Sequence, residues 1–104
     1  MTATTIGELA SLVRSKNAGP FWLTIDIFFT DAAAYARAST SPVTDVDAVA
    51  DRYGVEPSSI RVFLLPVLQA IKISFPRPNL QGAIDDRDMH AGQQYVPLLD
   101  IQVR

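Results

Sequence analysis

Between residues 21 and 29, large apolar side chains recur at every second position: Phe21, Leu23, Ile25, Ile27 and Phe29. A period of two puts all five on one face of a β-strand, because successive strand residues point to opposite sides. A strand with such a face must bury it against a second layer, so the chain is committed to a sheet with something packed on it. The alternate positions, Trp22, Thr24, Asp26 and Phe28, are mixed. Aromatics with few charges suit the core of an interface, so this open face or its rim is expected to meet another chain.

Residues 69–75 repeat the pattern, with Ile71, Ile73 and Phe75 on one face and Ala70, Lys72 and Ser74 on the other. Residues 60–65 read as a strand, and Pro76-Arg77-Pro78 ends the one that follows, because proline cannot continue a central ladder. Residues 95–103 are predicted to close the sheet as a last strand. Thr5 and Glu8 have the spacing of a capping box. Ile6, Leu9, Ala10 and Val13 then follow helical spacing, which predicts a helix running to residues 15–17. Asp31 is placed to cap a second helix over 32–37. Thr44 or Asp45 starts a third, which presents Val46, Val49, Ala50 and Tyr53 and stops at Gly54.

These elements predict an α+β domain: a small antiparallel or mixed sheet with helices packed on one face, ferredoxin-like in architecture. The opposite face is expected to carry Thr24, Asp26, Lys72, Ser74, Asp100 and Gln102. With 104 residues, a single domain spanning 1–104 is expected.

Composition removes several functions. The chain has no cysteine, which excludes disulfides and thiolate chemistry and suits a cytoplasmic location. Its net charge of -2 argues against a nucleic-acid binder held by phosphate contacts. Residues 48–61 look superficially like a helix-turn-helix, but strand-like Val62-Phe63-Leu64-Leu65 stands where the second helix is needed. No apolar run approaches the ~20 residues of a membrane helix, and the N-terminus lacks a signal-peptide pattern. No cofactor or metal is expected.

The candidate site residues fall in two groups. Arg14, Ser15, Lys16 and Asn17 cluster two cations with a hydroxyl and an amide, just before Gly19-Pro20. At a helix-to-strand junction such a set can hold a carboxylate or phosphate; it can equally complement a helix C-terminus. The second group lies in the long polar stretch 76–94. Arg77 sits between prolines as an anion contact or an exposed loop residue. Asp88 and His90, in an acidic run with Asp85 and Asp86, are candidates for proton transfer. The run matches no metal-binding motif and reads more simply as a solvated loop. Asp26 and Lys72 could meet as a cross-strand pair, or bind polar substrate groups if a groove covers them; the plain pair is the simpler reading.

Three separated motifs carry a family likeness: residues 14–21; Ala70-Ile71-Lys72-Ile73 with Pro76-Arg77-Pro78; and Gly92-Gln93-Gln94 with Pro97-Leu98-Leu99-Asp100. Together they resemble a bacterial family of small AtuA-related proteins, a domain of unknown function. A weaker likeness extends to the C-terminal ferredoxin-fold domain of the acyclic terpene utilisation protein AtuA, whose ligand segment matches Arg14 and Ser15, with Lys16 near its lysine. The resemblance implies a companion subunit of a larger AtuA-like catalytic protein. That subunit is expected to help bind a carboxylate or acyl-CoA metabolite. It also implies that residues 76–94 fold against the turn at 14–17, gathering Arg77, Asp88, His90, Gln93 and Gln94 at one rim. Two other readings stay open: a self-contained small isomerase or lyase acting on a carboxylated metabolite, and a homo-oligomeric scaffold without a ligand.

Overall fold

The computed structural model describes residues 4–18, 22–76 and 98–103. Thr5 opens the first helix as its spacing requires. The Glu8 N–H donates to the Thr5 hydroxyl at 3.3 Å, and the Thr5 N–H donates to the Glu8 carboxylate at 3.1 Å. Two helix-end donors are thereby satisfied reciprocally.

This helix, α1, is one turn long, Ile6–Leu9, and Ala10 leaves it in an extended conformation. The expected continuation to residues 15–17 is therefore corrected. Leu12–Asn17 is strand β2, and it pairs antiparallel along its whole length with β3, Trp22–Phe28. The physical reason is the ladder. Antiparallel pairing with β3 gives each backbone a partner and sends Val13 and Ser15 toward the core, which outweighs a local helical spacing.

Helices α2, Ala32–Ser39, and α3, Val46–Tyr53, follow. The Ala34 N–H donates to the Asp31 carboxylate at 2.7 Å, and the Asp47 N–H to Asp45 at 3.0 Å. Gly54 ends α3 at φ 66, in the left-handed region where a side chain is disfavoured. Asp31→Ala should cost about 1 kcal/mol by leaving the α2 amides uncapped, read as a lowered urea midpoint with an unchanged slope.

The second hairpin is β4, Arg61–Leu65, and β5, Ala70–Pro76. The four strands lie in the order β2-β3-β5-β4, all antiparallel. A small separate sheet pairs β1, Thr4–Thr5, with β6, Gln102–Val103. Of the predicted closing strand, residues 95–97 lie outside the described residues; Leu98 to Asp100 form a turn, and the strand after it is only two residues long, paired with β1. Asp100 and Gln102 accordingly do not lie on the open face of the four-stranded sheet. In outline the protein is an α+β domain, with two hairpins bracketing a pair of helices. That architecture is compatible with the expected ferredoxin-like one.

The core lies between the sheet and the helices. Leu23, Ile25 and Ile27 from β3 and Ile71, Ile73 and Phe75 from β5 are fully buried, with Ala38, Val43 and Val49 from the helical layer. Each large buried side chain contributes about 1.5–3 kcal/mol. The Tyr53 ring packs on Phe75 with centroids 4.7 Å apart. Burial raises the Tyr53 phenol well above its usual range, with Arg52 opposing the shift. Below about pH 10 the phenol is protonated in both folded and unfolded chains. Above it, the unfolded chain releases the proton and the folded chain does not. Stability should then fall as pH rises past that point, in a series of alkaline urea titrations.

Candidate functional site

The sheet face turned away from the helices is a grid, and the strand register fixes its rows. Lys16, Thr24, Ser74 and Arg61 stand side by side across β2, β3, β5 and β4. The next row is Arg14, Asp26, Lys72 and Phe63, and beyond it Leu12, Phe28, Ala70 and Leu65. Trp22 closes the other end opposite Pro76.

Over the first two rows lies a groove of about 450 Å³, lined by Ala18, Trp22, Thr24, Arg61, Phe63, Lys72 and Ser74. Its floor is two hydroxyls. Thr24 is buried, and its Oγ1 lies 3.5 Å from the Ser74 Oγ; the Ser74 hydroxyl reaches the Leu23 carbonyl only at 3.4 Å. Both contacts are long for O–H···O bonds, so the pair keeps hydrogen-bonding capacity toward the groove. Trp22 and Phe63 form apolar walls. The Arg61 guanidinium lies over the Trp22 ring at 5.9 Å, within cation–π range.

The charge pattern is uneven. Asp26 stands in register with Lys72, as expected, but its ion pair is with Arg14 on the other side, Nε to Oδ2 at 3.5 Å. Arg14 also covers the Phe28 ring at 5.2 Å. Among the described residues, the groove lining holds Arg61 and Lys72 and no carboxylate, with Lys16 at its edge in the Thr24 row.

The predicted cluster at 14–17 is therefore split. Strand alternation puts Arg14 and Lys16 on the open face and turns Ser15, which is buried, to the core side with Asn17. A single anion cannot take all four, and the segment is a paired strand, not the helix-to-strand junction expected. Arg77, Asp88, His90, Gln93 and Gln94, with the contact expected between 76–94 and residues 14–17, lie outside the described residues. The sequence places Thr24, Lys72 and Ser74 on the open face and offers Lys72 as a groove contact, but it does not single out Thr24, Ser74, Arg61 or Phe63 as site residues. The alternation of Arg61 and Phe63 with Val62 and Leu64 carried the signal. What it could not supply was the register that brings Arg61 beside Ser74.

A larger cleft, about 590 Å³, lies between α2, α3 and the C-terminal turn. Several of its polar groups are already engaged. Arg52 bonds Asp100 at 2.5 Å, the Ser41 hydroxyl donates to the Ala38 carbonyl at 2.6 Å, and the Thr40 hydroxyl to the Arg37 carbonyl at 3.1 Å. Groups committed in this way have less hydrogen-bonding capacity left for a ligand, so the open-face groove is the better candidate.

The rim of the same face is apolar. β4 is an edge strand, and the turn after it, Pro66–Leu68, projects Val67 and Leu68 at 96% and 61% exposure. Phe63 and Leu64 are 45% and 48% exposed beside them. The turn is anchored by Gln69, at φ 50, whose carbonyl accepts the Phe29 N–H at 2.9 Å.

Residues 6–102 match the model of the family described as "Domain of unknown function (DUF4387)", and the chain belongs to that family. No curated protein and no solved structure matches it. Among the described residues, no helix is long and apolar enough to cross a membrane.

Proposed function

We propose that this protein is a companion subunit. It docks its β4 edge on a larger AtuA-like catalytic protein and helps that protein hold a carboxylate or acyl-CoA metabolite. The observation that carries the reading is the apolar edge. Among the described residues, Arg61–Leu65 leaves one side of its backbone ladder unpaired, and Phe63, Leu64, Val67 and Leu68 are exposed along this edge and the turn after it. Edge strands in self-sufficient domains are usually blunted by charge, bulges or cover, because a bare apolar edge recruits other strands. Here one cation, Arg61, stands at the start of the strand and Pro66 follows its end. A partner that covers this edge removes the hazard and gains an interface core rich in aliphatic and aromatic groups.

The likeness of residues 14–21, 70–78 and 92–100 to AtuA-related sequences supports the identity of the partner. The test is reconstitution with the AtuA-like protein encoded in the same genome. The two chains should elute together from a sizing column in a fixed ratio. Separate elution at concentrations well above those of a stable complex would count against the proposal.

A further inference from the structure

We infer that the groove over Thr24 and Ser74 is a binding site for an organic anion in which a carboxylate is attached to a flat conjugated or aromatic group. The site is built from opposed functions at fixed places. At its floor, the Thr24 and Ser74 hydroxyls have only long partners among the described residues, at 3.5 and 3.4 Å, and can donate to a carboxylate laid across them. Arg61 is next to Ser74 in register, and Lys72 is two residues along the same strand, so two cations flank that spot. Among the described residues, no carboxylate side chain lines the groove to compete with a ligand; the nearest in the grid, Asp26, is engaged by Arg14. A charge-assisted bond to Arg61 with a second contact from Lys72 fixes where the anionic end sits.

The walls select the rest of the molecule. Trp22 and Phe63 present ring surfaces along the groove, and the guanidinium of Arg61 is already held over the Trp22 ring. Flat π-systems gain from lying against such surfaces, whereas a bare inorganic anion makes no use of them. A groove of about 450 Å³ is within the range of small-molecule sites, and it is open enough to take an extended ligand from the side. This inference rests on the companion reading only for the broad class of metabolite. Binding is measured on the isolated chain and docking at the β4 edge, so either can fail without the other.

Trp22 is the only tryptophan of the chain, so its fluorescence reports on the groove alone. The protein is titrated with sorbate, a planar conjugated carboxylate, with sorbamide as the uncharged analogue and inorganic phosphate as the bare anion. Sorbate should give a saturable change in Trp22 emission that weakens with added salt, while sorbamide and phosphate bind at least tenfold more weakly. Lys72→Gln should weaken sorbate about tenfold, the loss of one charge-assisted contact. Arg37→Gln, in the helical cleft, should leave it unchanged. Amide shifts of Thr24 and Ser74 in an NMR titration give a readout independent of the tryptophan and of any change in its environment. No saturable response by either method, equal binding of sorbamide or phosphate, or undiminished binding by Lys72→Gln would overturn the assignment.

Discussion

Phe75→Ala should remove a fifth or more of the stability of this domain. The ring is fully buried on β5, in register with Leu23 and packed on Tyr53 at 4.7 Å. Truncation removes the transfer energy of the ring and leaves a cavity that β3, held in ladders on both sides, cannot close. Such changes cost about 3–5 kcal/mol, against a total of about 5–15 kcal/mol for a chain of this size. Urea unfolding followed by circular dichroism should show the midpoint falling steeply. Phe63→Ala, on the exposed face of β4, should cost less than about 1 kcal/mol under the same conditions. Similar losses for the two variants would mean that the layer between sheet and helices is not the core.

The largest effect on association is expected from Val67→Asp with Leu68→Asp. Both side chains project from the turn after β4, so the free chain loses little by the change, within about 0.5 kcal/mol. In a complex the same two carboxylates would be forced into an apolar contact without partners. Desolvating an unpaired charge is costly, and residues central to an interface are commonly worth 2 kcal/mol or more each. Together the substitutions should weaken binding of an AtuA-like partner roughly hundredfold or more. Isothermal titration of wild type and double variant, with melting curves as the control for folding, measures this directly. The sorbate response of the isolated chain should survive the double variant, since neither residue lines the groove.

Much of the fold is legible in the sequence, for reasons that differ by element. The alternation in 21–29 and 69–75 reports burial on one side, and β3 and β5 occupy the two central positions of the sheet, where that pattern is strongest. Thr5, Asp31, Asp45 and Gly54 mark helix ends through local hydrogen bonds and a left-handed residue, and local chemistry is visible in a short window. Residues 12–17 mislead because their spacing suits a helix and their structure comes from pairing with β3. That same misreading made Arg14, Ser15, Lys16 and Asn17 look like one anion cradle, when strand alternation sends them to two faces. The groove was hidden for a related reason. Thr24, Ser74 and Arg61 are distant in sequence and become a row only through the β3–β5 and β5–β4 registers, which no single segment encodes.

The most direct test of the companion role is sedimentation velocity on this chain mixed with the AtuA-like protein of the same genome, in wild-type form and as Val67→Asp/Leu68→Asp. A companion subunit that docks through the β4 edge gives a single faster-sedimenting complex with the wild type and two unmixed species with the variant. Two unmixed species with both forms, or an equally stable complex with both, would contradict it.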